Sequence, residues 1–207
     1  ALVVEGHDGV FCVEAGGPRP GIGCAGRGIS LLVDIMGDAM MSTSDWDFQI
    51  FDLLGDVVCG GFAAPIRLGP DTEIYLVVSG EPLPIYAANN IAHGVVNLAA
   101  RGAGRVAGVV ANSRNTLGEV ELITAFAEAL GTRVVAWIPR DERVFLAELD
   151  NKNITNAFPD SAASVALRGL ADTILATTAD DLVVPTPLSD EALRALYRRH
   201  LGKVLSA

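Results

Sequence analysis

Short β-branched runs alternate along the chain with longer stretches in which apolar residues recur every three or four positions. The runs Val10–Val13, Phe48–Phe51, Glu73–Val78, Val106–Ala111 and Arg133–Ile138 predict strands. Most are apolar throughout rather than alternating, the pattern of strands that helices cover on both sheet faces. Helices are predicted over Ala25–Met36, Leu83–Ala100, Leu117–Leu130, Ala162–Ala176 and Asp190–Leu201. For the last, Ser189 is the expected N-cap, and Asp190 and Glu191 complement the helix dipole in the first turn. Leu193, Leu196, Tyr197, His200 and Leu201 then share one face. Such alternation predicts βαβ units and a mostly parallel sheet. There is no internal repeat. Thr177–Leu188, with Pro185 and Pro187, is the expected loose connection, joining the last helix to the body of a single domain over residues 1–207.

Half of the 207 residues are apolar, enough for a sizeable core. A net charge of −10 argues against a nucleic-acid groove or an anionic membrane surface, since both need clustered Lys and Arg. Asp34, Asp56 and Glu73 interrupt the best candidates for a membrane span. The opening ALVVEGHDGV lacks the basic start and apolar stretch of a signal peptide, so a cytoplasmic protein is expected. The two lysines, Lys152 and Lys203, both fall outside any GxxxxGK[ST] phosphate loop.

Candidate chemistry begins with FQIFDLLG, residues 48–55, a run that ends in Asp52 and a DxxG turn. In P-loop nucleotidases an Asp so placed holds the hydration shell of Mg²⁺, and the glycine lets a switch loop swing. The same spacing also serves as a plain strand-to-loop exit. Two of the three cysteines sit among glycines, Cys24 in GPRPGIGCAGRG (17–28) and Cys59 in VVCGGFAAP (57–65). Glycine neighbours let backbone N–H groups approach a thiolate or cluster sulfur. A [4Fe–4S] cluster needs four thiolates; a two-fold dimer of this chain supplies four, and tetrahedral Zn²⁺ could use the same set. The competing explanation is two small residues in tight turns. Cys12, in the apolar run VFCVE, is expected to be a buried strand residue. His7, His93 and His200 lack metal-ligand spacing, and no Ser-His-Asp or Cys-His pattern is present.

Together these segments resemble the nitrogenase iron protein family. The matching stretches are CVEAGGPRPGIGCAGRG (12–28), DLLGDVVCGGFAAPIR (52–67), SGE (79–81), YAANNI (86–91), ANSRNT (111–116), IPRD (138–141) and VPTPLSDE (184–191). The resemblance implies that Cys24 and Cys59 of two subunits ligate one bridging [4Fe–4S] cluster. Asp52 is then the switch aspartate near Mg²⁺, and Asp56 the carboxylate that positions the attacking water. Asn112, Pro139, Arg140 and Asp141 surround the adenine end of MgATP. Arg27 lies beside the cluster on the docking face, at a position ADP-ribosylated in some diazotrophs, and Arg67 shares that face. The implied protein is a homodimer that accepts electrons from ferredoxin or flavodoxin. It passes them singly, coupled to ATP hydrolysis, to a larger catalytic component. Asp52 and Cys59 lie on one short segment, so nucleotide state can alter the cluster's surroundings.

The family begins with a strand, a GKGGIGKS-type P-loop and a first switch, and the present chain is expected to start after all three. The expected architecture is thus a three-layer P-loop NTPase-type fold with a mostly parallel sheet, lacking its N-terminal strand and P-loop. On its own such a fragment would be inactive. GCAGRG, SGE and ANSRNT resemble the nitrogenase branch, whereas Leu68-Gly69-Pro70 and Met36–Ser44 depart from it, leaving a nitrogenase-like reductase as the neighbouring possibility. Two further alternatives are a non-redox P-loop ATPase of the partitioning or metal-cluster-chaperone kind, and a non-catalytic fragment that only binds partners.

Overall fold

The computed structural model describes residues 3–14, 26–39, 46–53, 55, 63–66, 72–102 and 104–201, with side chains except at 26, 27, 35–39, 64 and 201. Its centre is a three-stranded parallel sheet in the order β3 (Glu73–Val78), β4 (Arg105–Asn112), β5 (Val134–Ile138). β4 is buried without interruption from Val106 to Ala111. Successive strand side chains point to opposite faces, so unbroken burial means that both faces are covered. The coverings are the crossover helices α3 (Pro82–Ala99) and α4 (Glu119–Ala129), with α7 (Ala162–Ala176) packed against β5. Ile85, Ala92 and Val95 of α3 and Leu122, Ile123 and Phe126 of α4 meet Leu76, Val78, Val106 and Val109 of the sheet in one core. Leu193 and Leu196 of α8 (Asp190–Leu201) join it, on the face their spacing predicts. A second, smaller cluster unites Ala147 of α5 (Arg143–Leu149), Ile154 of α6 (Ile154–Ala157) and Ala163 of α7.

Gly108 shows why β4 and β5 can lie so close. A Cβ there would sit 2.9 Å from Val135 Cγ2 and nearer still to Cγ1, so only glycine admits the branched side chain of the neighbouring strand. α4 starts at Glu119, later than the periodicity predicts, because Gly118 takes a left-handed φ of 68° at the cap.

Several expectations are corrected. Phe48–Phe51 carries no strand: a strand needs a ladder partner for its N–H and C=O groups, and none is paired with it among the described residues. Val10–Val13 does hold a strand, β2 (Phe11–Val13), but it pairs antiparallel with β1 (Val3–Glu5) across the turn His7–Gly9, away from the parallel sheet. Cys12 is therefore exposed rather than buried, since this ladder has no apolar layer over it among the described residues. Phe11 instead stacks edge-to-face on Trp46, ring centroids 5.3 Å apart. The Thr177–Leu188 connection is pinned rather than loose. β5 begins opposite Val109, which leaves the start of β4 open on that side, and Val183 fills the gap with two backbone bonds to Val106 of 2.9 Å each. Leu188 is held by the Asn89 side chain through its N–H and its carbonyl, both at 2.8 Å. The remaining helices, α1 (Gly26–Ala39) and α2 (Ala63–Ile66), flank the segments that carry the cysteines. No described helix is long and apolar enough to cross a membrane.

Candidate functional site

Parallel sheets bind ligands at the carboxyl ends of their strands, where loops and helix starts present unpaired backbone groups. Three of the segments singled out in the sequence meet at that rim. β3 runs out into Ser79–Gly80–Glu81, β4 into Ser113–Thr116, and β5 into Pro139–Asp141. Asn112 pairs with Ile138 at the end of the ladder and is itself exposed, while Ser113 N–H donates to the Ile138 carbonyl at 2.8 Å. Asn112 and Pro139 are thus neighbours across the β4–β5 seam. Arg140, next along, is exposed.

Asp141 is more constrained. Arg143 grips its carboxylate with two parallel bonds, Nε to Oδ1 at 2.8 Å and Nη2 to Oδ2 at 2.7 Å, and its own N–H adds a third at 3.0 Å. The fork geometry favours such pairing. Arg143 is the chief reason that the Asp141 carboxyl titrates below its ordinary value, helped by the N–H of Ala163 at the start of α7. Asp141 thereby ties the loop after β5 to a second helix.

The residue that sequence reasoning missed is Glu119. Only 6% exposed, its carboxylate accepts from Gly80 N–H at 3.1 Å, Arg114 N–H at 2.9 Å and the Ser113 hydroxyl at 2.5 Å. Burial would raise its pKa, but the donors of Arg114, Ser113 and Gly80 outweigh burial and hold the carboxyl below its ordinary value. A signal was present: Thr116-x-x-Glu119 before an apolar run has capping-box spacing. The structure uses it differently. Glu119 reaches across to other loops, and Thr116 Oγ1 is left buried without a partner among the described residues.

Asp52 is exposed, in a described stretch, 46–53, without helix or strand, and among the described residues no hydrogen bond or ion pair joins it to the rim. Gly55 of the DxxG turn lies against α3, where an added Cβ would stand 3.9 Å from Ala87 Cβ. Cys24, Asp56, Cys59 and Arg67 lie outside the described residues, as does the side chain of Arg27, whose backbone is in α1. Among the described residues no three His, Cys, Asp or Glu side chains gather to hold a metal ion.

The sequence model of the 4Fe-4S iron sulfur cluster binding proteins, NifH/frxC family, matches residues 1–201. The nitrogenase iron protein of Methanospirillum hungatei is 46% identical over 205 residues, 98% of this chain and 72% of that protein. Nitrogenase iron protein 2 of Rhodobacter capsulatus is 43% identical over 199 residues, 96% of this chain and 72% of its own length. Nitrogenase iron protein 1 of Methanothermobacter thermautotrophicus is likewise 43% identical over 199 residues.

Proposed function

The chain belongs to the NifH/frxC family of 4Fe-4S iron–sulfur cluster-binding proteins, and on that premise we propose that it serves as the ATP-dependent reductase component of a nitrogenase. The observation that carries this reading is the family match over residues 1–201, which runs through both cysteine-bearing segments and all three rim loops. The relatives named above are nitrogenase iron proteins, which favours a nitrogenase catalytic component over a tetrapyrrole-reducing one as electron acceptor. Ferredoxin or flavodoxin would be the donor.

The donor set fits the cofactor. Cys24 and Cys59 give two thiolates per chain, and two chains give the four that a cubane needs. When bound, the cluster would supply a one-electron carrier between subunits. The chain's own residues do the rest. Cys24 and Cys59 hold it among glycines whose N–H groups can approach sulfur, while Arg27 and Arg67 provide cationic contacts for the acceptor. Asp52 would order the water around Mg²⁺, and Asp56 would orient the attacking water on ATP's γ-phosphate. Asn112, Pro139 and Arg140 line the base end, and Asp141 keeps their loop in place through Arg143. The short chain path from Asp52 to Cys59 makes the nucleotide end and the cluster end parts of one segment.

Anaerobic reconstitution with iron and sulfide, using protein expressed from the complete gene, tests the ligand set. Cys24→Ser and Cys59→Ser should each abolish cluster uptake, and Cys12→Ser should leave it intact. Loss of the cluster in the Cys12 variant, or its retention without Cys59, would reject the assignment.

A further inference from the structure

Two loops far apart in the chain are held to each other by one carboxylate. Through Gly80 N–H, Glu119 grips the turn after β3; through Ser113 and Arg114 it grips the loop after β4, one residue beyond Asn112. That second loop is bonded in turn to the end of β5 by Ser113 N–H and the Ile138 carbonyl, immediately before Pro139. The seat is tight from both sides. A Cβ at Gly80 would lie 2.7 Å from Glu119 Cγ and 2.9 Å from Glu119 Cβ, and closer still to Thr116 Oγ1.

Capping its own helix would not require this arrangement. A capping box pairs the Thr116 hydroxyl with the Glu119 N–H, yet Glu119 N–H goes to the Thr116 carbonyl at 3.3 Å and the hydroxyl has no partner among the described residues. An ionised carboxylate is buried at a cost unless every donor is in place, so the arrangement holds both loops to one geometry. We propose that Glu119 is a positioning residue for base recognition: by clamping the Ser79–Glu81 turn to the Ser113–Asn115 loop, it sets where Asn112 and Pro139 meet an adenine base in preference to guanine. The inference rests on the reading of this rim as the base end of the ATP site. Glu119 acts through the loop and touches no ligand itself.

Calorimetric binding of MgATP and of MgGTP, with thermal unfolding measured in parallel, tests it on the protein from its complete gene. Glu119→Gln keeps the shape and one acceptor oxygen but loses the charge. ATP affinity should fall about tenfold, the worth of roughly one hydrogen bond. GTP affinity should hold, so the preference for ATP shrinks by the same factor. Ser113→Ala, which leaves the backbone donors in place, should shift the preference in the same direction by less. If Glu119→Gln does not fold, the Ser113→Ala ratio decides alone. Variants that melt earlier but keep the wild-type ATP-to-GTP ratio overturn the proposal, because a purely structural role predicts that result. A wild-type protein with no preference for ATP rejects the base-end reading itself, and the inference falls with it.

Discussion

At the scale of single residues, the rim depends on what is absent at Gly80 as much as on what is present at Glu119. An alanine methyl at Gly80 would press on Thr116 Oγ1 and on the Glu119 stem, so Gly80→Ala should destabilise the fold. The expected loss is about 1–3 kcal/mol, as for overpacking elsewhere, read as a lower urea midpoint at unchanged slope. Asp141 gives a pH signature. Arg143 depresses its carboxyl in the folded protein, so the pair adds stability above the unfolded pKa and loses it as pH falls through the folded one. Asp141→Asn should therefore flatten the acid limb of the melting temperature below about pH 4, and an unchanged limb would show that the pair adds nothing. Residue by residue, the rim was partly legible: SGE, ANSRNT and IPRD stood out, and they meet. Glu119 did not stand out, because its partner Gly80 is 39 positions away and periodicity reports only local neighbours.

Among the elements, boundaries were readable wherever a local cap wrote them. Ser161 accepts from Ser164 N–H and Ser189 from Ala192 N–H, and the two helices that follow, α7 and α8, begin where their sequences predict. α5 and α6 were not foreseen, since seven and four residues are too few for a helical period to declare itself. Thr177–Leu188 misled for a different reason: its prolines and polar residues look like a free linker, but its backbone completes the open side of β4. Val183→Pro would remove the N–H that reaches the Val106 carbonyl and leave that carbonyl unpaired, and should cost about 1–3 kcal/mol, measured by chemical denaturation. Gly108→Ala tests the sheet seam. With Val135 in the way, β4 and β5 must separate, and a loss of about 1–3 kcal/mol is expected; wild-type stability would mean that the seam relaxes freely.

For the whole molecule, the alternation of apolar runs and helical stretches was enough to predict a parallel α/β sheet, and β3, β4 and β5 form one. The strand expected at Phe48–Phe51 was wrong because an apolar run cannot say whether a ladder partner exists. The chain's place among iron–sulfur proteins rests on the family match over residues 1–201, which no periodicity marks. The proposed function stands or falls on two copies of this chain sharing one cluster. Native mass spectrometry of the anaerobically reconstituted protein from the complete gene measures this directly. It should give the mass of two chains plus a single Fe₄S₄, with four iron atoms per dimer as four thiolate ligands require. A dimer carrying one cluster per chain, or a monomer that holds a whole cluster alone, would contradict it.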